Sequence, residues 1–354
     1  GAEGRLVLVG GPVILKALEA SFSRLRTIEP PGSQDSKPKL EEPKSIQPRR
    51  RQFLATYVAA ALALVTSLLS YRLSFQLLGA EGFATFATCK RLMALGYPAL
   101  THGIGVALSH HVARSTSGGR ESARRYLQAA LMATLLLTAP LFLLTAHFPS
   151  EMSTILFGSA NQSPLLWPLS LVLLGTGFFS IVSSFLAGRS QFTLSSMIAL
   201  FSGGLIPIFT LWIIGDSCEK VFFYTGLALI IFGLLGTVAL LALPGEQGEE
   251  SLYRHFKRLC GYAAPRLPGV IGLAVLSGLP VVLAGHGTED PMAVGVLALG
   301  CSLLLISQSF VGPTATVLLP YVTRLATQGK RASFRRHGWH LFLGITIVIT
   351  PLIL

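Results

Sequence analysis

Long apolar runs that contain no charge are the feature that most constrains this chain. Only 12% of its residues are charged and 51% are hydrophobic, whereas about a quarter of the residues in an average soluble domain are charged. A helix needs about 20 apolar residues to cross the hydrocarbon core of a bilayer. The sequence therefore predicts an all-α fold, a polytopic transmembrane helical bundle.

Hydropathy predicts eight membrane spans and the start of a ninth. The predicted spans cover about residues 53–78, 85–110, 126–147, 164–187, 193–214, 222–243, 264–285 and 292–319, and a ninth begins near residue 339. Because the sequence stops inside that last apolar run, we expect a bundle that is incomplete at its C-terminus, with about nine spans present.

Residues 1–48 differ in composition from the rest of the chain. The part from Glu29 to Pro48 is rich in proline and in charged residues, which is typical of a disordered linker. The predicted organisation is a tail and linker at 1–48, a first helical unit at 49–243, a cytoplasmic linker at 244–261 and the start of a second unit at 262–354.

The basic residues divide unevenly between the two sides of this predicted topology. If the N-terminus is cytoplasmic, sixteen Lys and Arg residues fall in cytoplasmic loops, and only Lys220 falls in a loop on the opposite side. Cytoplasmic loops of membrane proteins carry such an excess. The division predicts a multi-pass protein with a cytoplasmic N-terminus. It also accounts for the net charge of +12 without nucleic acid as a partner.

The sequence lacks the motifs of common catalytic and metal sites. It contains no GxSxG, HExxH or P-loop motif, and no pair of carboxylates lies within a predicted span. The four cysteines are scattered, without the spacing of a zinc site or a disulfide framework. We therefore expect no catalytic residues, no metal and no cofactor, and the chain is not predicted to be an enzyme.

Cations inside the predicted spans are the candidate functional residues, because a charge in hydrocarbon is costly. Arg72 lies toward the outer end of the first span, and Lys90 and Arg91 lie in the outer part of the second. The short connection predicts antiparallel neighbours, with the three cations at similar depth. No acidic residue within the spans pairs with them, which favours a water-filled cavity that receives an anion. The alternative is snorkelling to the headgroups.

Adjacent helical residues point about 100° apart. We therefore expect at most one of Lys90 and Arg91 to face such a cavity centrally. Arg266 stands between two prolines at the predicted cytoplasmic start of the seventh span. It is suited either to bind a lipid pyrophosphate or to act only as a positive-inside residue. Gln308 in the eighth span is suited either to contact a sugar or to join two helices.

Three stretches carry a resemblance to a known family. They are FQLLGAEGFATFATCKRLMALGYPALTHGIGVALSHHVAR at 75–114, YAAPRLPGVIGLAVLSGLPVVLAGHGTEDPMAVGVLALGCSLLLI at 262–306 and LLPYVTRLATQGK at 318–330. They resemble bacterial polysaccharide flippases of the O-antigen and lipopolysaccharide type. That family belongs to the multidrug/oligosaccharidyl-lipid/polysaccharide exporter superfamily. The likeness covers about residues 50–354.

The resemblance implies two six-helix bundles around a cationic cavity, working by alternating access in the bacterial inner membrane. The implied activity moves undecaprenyl-pyrophosphate-linked glycans from the cytoplasmic to the outer leaflet. The implied partners are that lipid-linked glycan, membrane lipids and the polysaccharide polymerase or ligase machinery. By the same resemblance, Arg72, Lys90, Arg91 and Arg266 fall where substrate-binding cations are expected.

Two alternatives stay open. A multidrug or cation-coupled exporter of the same superfamily would require buried acidic residues, which the predicted spans lack. A membrane-embedded polysaccharide polymerase or ligase would be expected to carry a large outer loop with Arg and His. The longest predicted outer loop, at about residues 148–163, contains neither.

Overall fold

The computed structural model describes residues 50–115, 122–242, 250–288 and 290–304. Within these ranges all the regular elements are helical, so the all-α prediction is confirmed there. The α-helices are α1 (Arg50–Pro98), α2 (Val106–Ser115), α3 (Ala123–His147), α4 (Pro149–Phe157), α5 (Leu166–Gly188), α6 (Phe192–Leu200), α7 (Ile206–Ile214), α8 (Cys218–Ala242), α9 (Leu252–Ala263), α10 (Leu267–Gly287) and α11 (Pro291–Leu304).

Short helical segments of other types connect several of these elements. The π-helical segments Ala99–Gly105 and Phe201–Leu205 join α1 to α2 and α6 to α7. The 3-10 segments Ala160–Leu165 and Ala264–Arg266 lead into α5 and α10. The predicted tail at 1–48, the later part of the eighth predicted span and the ninth span lie outside the described residues.

Six helical stretches of the described chain are long and apolar enough to cross a membrane. They are Leu54–Ser115, Ala123–His147, Ala160–Gly188, Phe192–Ile214, Cys218–Ala242 and Leu252–Leu276. The spans predicted at 126–147, 164–187, 193–214 and 222–243 each coincide with one of them. The chain is therefore a multi-pass membrane protein.

Helix α1 doubles back on itself at Gly79, whose φ of 70° and ψ of −172° are not helical. Glycine adopts a positive φ without the steric cost that a Cβ imposes. The Lys90 ammonium lies 3.0 Å from the Ser67 hydroxyl, although a straight helix would separate these residues by about 35 Å. We call residues 50–78 the first arm of α1 and residues 80–98 the second arm. The predicted antiparallel pair is confirmed.

Helix α5 is the most enclosed of the long helices. In the most apolar 18 residues of Ala160–Gly188, the stretch that contains α5, 72% of the residues are buried. In the most apolar 18 residues of Phe192–Ile214, only 11% are buried. Glycines permit the close packing of α5 against α8, because a Cβ at Gly226 would stand 2.7 Å from the Leu171 Cβ. Small residues at such crossings let helix backbones approach in a membrane.

The predicted linker at 244–261 contains a helix that the hydropathy analysis missed. From Leu252 onward the segment forms α9, which continues through a 3-10 turn into α10. Its polar and apolar residues alternate with helical periodicity, so their average hydropathy is too low to predict a span.

Candidate substrate cavity

A cavity of about 470 Å³ lies between the two arms of α1, α5, α6 and α11. Two cations, Lys90 and Arg91, reach it from the second arm. The other polar residues of its lining carry hydroxyl groups, and no acidic residue lines it among the described parts of the chain. The hydroxyl-bearing residues are Thr56, Ser67, Tyr71, Tyr97, Ser183, Ser195, Ser196 and Ser302.

Lys90 is held by neutral groups of the first arm. Its ammonium donates hydrogen bonds to the Ser67 hydroxyl at 3.0 Å and to the Ser70 hydroxyl at 2.9 Å. It also lies 4.2 Å from the centre of the Tyr71 ring, where the π face attracts a cation. These uncharged partners fix the position of the Lys90 amine at the cavity wall.

The depth of Lys90 follows from its distance to the corner of the hairpin. It is eleven residues beyond Gly79, or about 16 Å along a helix. This distance is about half of the ~30 Å hydrocarbon core. For a corner at the membrane surface, this distance places the cationic part of the cavity near the middle of the hydrocarbon core.

Arg91 lines the same cavity although it is the next residue in the helix. The expectation that at most one of the two cations faces the cavity centrally stays a prediction, since lining alone does not test it. Arg91 is only 2% exposed. Lys90 reaches back to the first arm, and Arg91 lies on the side of α11.

Tyr71 is the residue that joins these elements, and the sequence analysis did not find it. Its hydroxyl lies 2.9 Å from the Ser302 hydroxyl of α11, and its ring packs edge-on against Phe83 and Phe86. It is 5% exposed. The sequence analysis weighed only the charges within the predicted spans, so nothing in the local pattern singled out Tyr71.

Two pairs of hydroxyl groups form another part of the cavity wall. The Ser196 hydroxyl donates to the Thr56 hydroxyl at 3.1 Å, which joins α6 to the first arm. The hydroxyls of Ser183 and Ser195 are 2.9 Å apart and join α5 to α6. Such groups can donate or accept a hydrogen bond, so this wall is suited to a polar, neutral part of a ligand.

The remaining predicted site residues lie elsewhere. Arg72 is exposed and does not line the cavity, so the structure does not bring it together with Lys90 and Arg91. Arg266 is exposed at the start of α10, where its guanidinium donates to the Tyr262 carbonyl at 2.7 Å and lies 3.8 Å from the Tyr262 ring. It does not line the cavity either. Gln308 lies outside the described residues.

Comparisons with known proteins inform the fold only. No family model matches the sequence, and no curated protein matches it. A solved structure described as "protein A" matches with a TM-score of 0.65 and 15% sequence identity, over 90% of this chain and 75% of that one. At this level of identity the match shows a similar fold, and it carries no information about the substrate.

Proposed function

We propose that this protein is a flippase that moves undecaprenyl-pyrophosphate-linked glycans from the cytoplasmic to the outer leaflet of a bacterial inner membrane. The observation that carries the proposal is the cavity that is lined by Lys90 and Arg91 and by no acidic residue of the described chain. The resemblance of residues 75–114 and 262–306 to polysaccharide flippases supports the same substrate class.

The chemistry of such a substrate matches the cavity in two respects. A pyrophosphate is an anion that hydrocarbon excludes, so its passage across ~30 Å requires fixed positive charge and hydrogen-bond donors along the path. A sugar is neutral and rich in hydroxyls. The cations on the second arm are suited to the pyrophosphate, and the Ser and Thr hydroxyls on the facing helices are suited to the sugar.

The proposed mechanism is alternating access by rocking of two helical bundles, as in transporters built from repeated units. In this scheme the N-terminus is cytoplasmic and a second six-helix bundle completes the transporter. The transported glycan then passes to the polysaccharide polymerase or ligase. The Tyr71–Ser302 hydrogen bond, which joins the two predicted units, would have to break when they separate.

The cation-coupled exporter is less consistent with the described residues. A site for cationic drugs or ions would require buried carboxylates. Every Asp and Glu of the described ranges is exposed or partly exposed, and none lines the cavity.

The proposal is tested by expressing the gene that encodes this chain in a strain that lacks its polysaccharide flippase. We expect surface glycan to be restored, and to be lost again with Arg91→Glu at equal protein level in the membrane. Arg72→Glu is the matched control, since it reverses a charge on the same hairpin but outside the cavity. Restoration by both variants would contradict the assignment of the cavity.

Complementation depends on whether the protein accepts the glycan of the host strain. Lipid transfer measured with the purified protein does not have this dependence. The purified protein is reconstituted in vesicles with a fluorescent lipid pyrophosphate-linked sugar, and its loss from one leaflet is followed by quenching. No protein-dependent transfer, together with protein-dependent efflux of a cationic dye, would overturn the proposal in favour of the exporter.

A further inference from the structure

Helix α9 presents two faces of different chemistry. One face is packed against α2 and α3 and contains His255, Leu259 and Ala263, which are at most 5% exposed. The other face contains Tyr253, which is 72% exposed, and the exposed residues Arg254 and Lys257. The exposed positions recur with helical spacing, so this pattern is a property of the whole helix.

Stacked rings fix α9 against the rest of the membrane domain. The Tyr262 ring stacks on His110 of α2 at 4.2 Å with an interplanar angle of 12°. The Tyr126 ring of α3 stacks on His111 at 4.4 Å and meets His255 edge-on at 4.7 Å. The Ser251 carbonyl at the helix start lies 3.1 Å from the His255 ring. The exposed face of α9 therefore has a fixed orientation.

The exposed face is strongly cationic. Arg254, Lys257 and Arg258 lie on α9, and Arg266 follows it directly. Glu250 is the one carboxylate that pairs with these cations within the described chain. It lies 3.3 Å from Arg254 and 2.8 Å from Arg258. Lys257 forms no ion pair with any described residue, so its charge faces outward uncompensated.

We propose that α9 lies in the headgroup layer of the bilayer and binds anionic phospholipids there through Lys257, Arg254 and Arg266. Three features carry this proposal. The helix leads directly into α10, whose 21 predominantly apolar residues from Leu267 to Gly287 are enough to cross the hydrocarbon core by themselves, so α9 comes at the level of the headgroups. Its free face carries Arg254 and Lys257, cations of the kind that attract an anionic leaflet from a position beside a membrane span. Its inner face is already occupied.

The ligand of the exposed face is an anionic phospholipid of the adjacent leaflet. Its headgroup has the opposite charge to Arg254 and Lys257, and it lies at the same level as α9. A juxtamembrane Lys or Arg adds about 1 kcal/mol of attraction to an anionic surface, or about a fivefold change in affinity. The proposal does not depend on the transported substrate. A helix fixed to the headgroups would set the level of the junction between the two predicted units.

The test counts single lipid molecules on the purified full chain by native mass spectrometry. The probes are phosphatidylglycerol, which is anionic, and phosphatidylcholine, which has no net charge. We expect tighter binding of the first phosphatidylglycerol. We expect Lys257→Gln to weaken it about fivefold and Lys257→Arg to preserve it, while phosphatidylcholine binding stays unchanged.

A variant that is expected to strengthen phosphatidylglycerol binding distinguishes this effect from misfolding, because misfolding would weaken binding. Glu250→Gln removes the carboxylate that holds Arg254 and Arg258, so phosphatidylglycerol binding should become severalfold tighter. Lys220→Gln removes an exposed cation far along the chain that is paired with Asp216, and it should change nothing. Equal affinity for the two lipids in the parent chain, or no response to both Lys257→Gln and Glu250→Gln, would overturn the proposal.

Discussion

The two arms of helix α1 carry cations in contrasting environments. On the first arm Arg72 is exposed and lies outside the cavity, while on the second arm Lys90 and Arg91 line it. The three residues are of similar chemical type and lie within one helical hairpin. The difference shows that a basic residue in an apolar helix lines a cavity only where neighbouring helices enclose it.

The neighbours of each cation also decide what it can do. Lys90 is oriented by Ser67, Ser70 and the Tyr71 ring, which are uncharged. A side chain whose position is fixed in advance loses less conformational entropy when a ligand binds. No corresponding set of hydrogen bonds holds Arg72 among the described residues, and its position agrees with snorkelling toward the headgroups.

The largest effect is expected from removing both cations of the second arm. In Lys90→Gln/Arg91→Gln, two charge-assisted hydrogen bonds to a phosphate are lost, each worth about 1.5–3 kcal/mol. Binding of a lipid pyrophosphate to the purified protein, followed by tryptophan fluorescence or calorimetry, should weaken by about 100-fold or more. A change of less than fivefold would remove the distinction between the two arms.

The corner that sets the arms side by side is the next target. Gly79 has a φ of 70° and a ψ of −172°, a combination that essentially only glycine adopts and that costs another residue about 1–3 kcal/mol. Space is not the obstacle, because nothing stands within 4 Å of a Cβ built there. Gly79→Ala should therefore lower the thermal midpoint by a few degrees. Gly261→Ala has equal space and an ordinary helical conformation, so it should leave the midpoint unchanged or raised.

Tyr71 tests the coupling between the hairpin and α11. Tyr71→Phe keeps the ring that faces Lys90 but loses the hydrogen bond to Ser302, at 2.9 Å. Such a bond contributes about 1 kcal/mol net, so we expect a change of a few-fold in transport rate with unaltered lipid binding. Ser302→Ala should reproduce the result, and the double variant should add little. Additive effects would mean that the two hydroxyls act separately.

The smallest effect is expected at Arg72. Because its side chain is exposed and lies outside the cavity, Arg72→Gln should change lipid pyrophosphate affinity by less than about twofold, within the range of a surface charge. The same binding assay checks this. A loss as large as that of Arg91→Gln would place Arg72 in the binding site and remove the contrast between the arms.

The helical fold was largely predictable from local composition. Runs of about 20 apolar residues without charge leave few alternatives in a bilayer, because every backbone group must be paired within the segment. For this reason the spans at 126–147, 164–187, 193–214 and 222–243 coincide with observed helices. Helix α9 was missed because its short amphipathic sequence averages to a polar segment.

The candidate site was predictable only in part. Lys90 and Arg91 were found because a charge inside an apolar helix is visible in one dimension. Tyr71 and the hydroxyls of Thr56, Ser183 and Ser196 were not found, since Ser, Thr and Tyr are common in membrane helices and have no distinctive spacing here. They meet because residues far apart in sequence are brought together, as in the hydrogen bond between Thr56 and Ser196.

The sequence by itself determined that this chain is a bundle of membrane helices with cations inside two of its spans. Both facts depend on the free energy of transferring individual residues into hydrocarbon, which is a local quantity. Only the tertiary structure decided that Lys90 and Arg91 share a cavity and that Arg72 does not. That outcome depends on the reversal at Gly79 and on the packing of α5, α6 and α11 around the hairpin. Whether a residue is enclosed depends on the packing of several helices, so it cannot be predicted from the sequence of one segment.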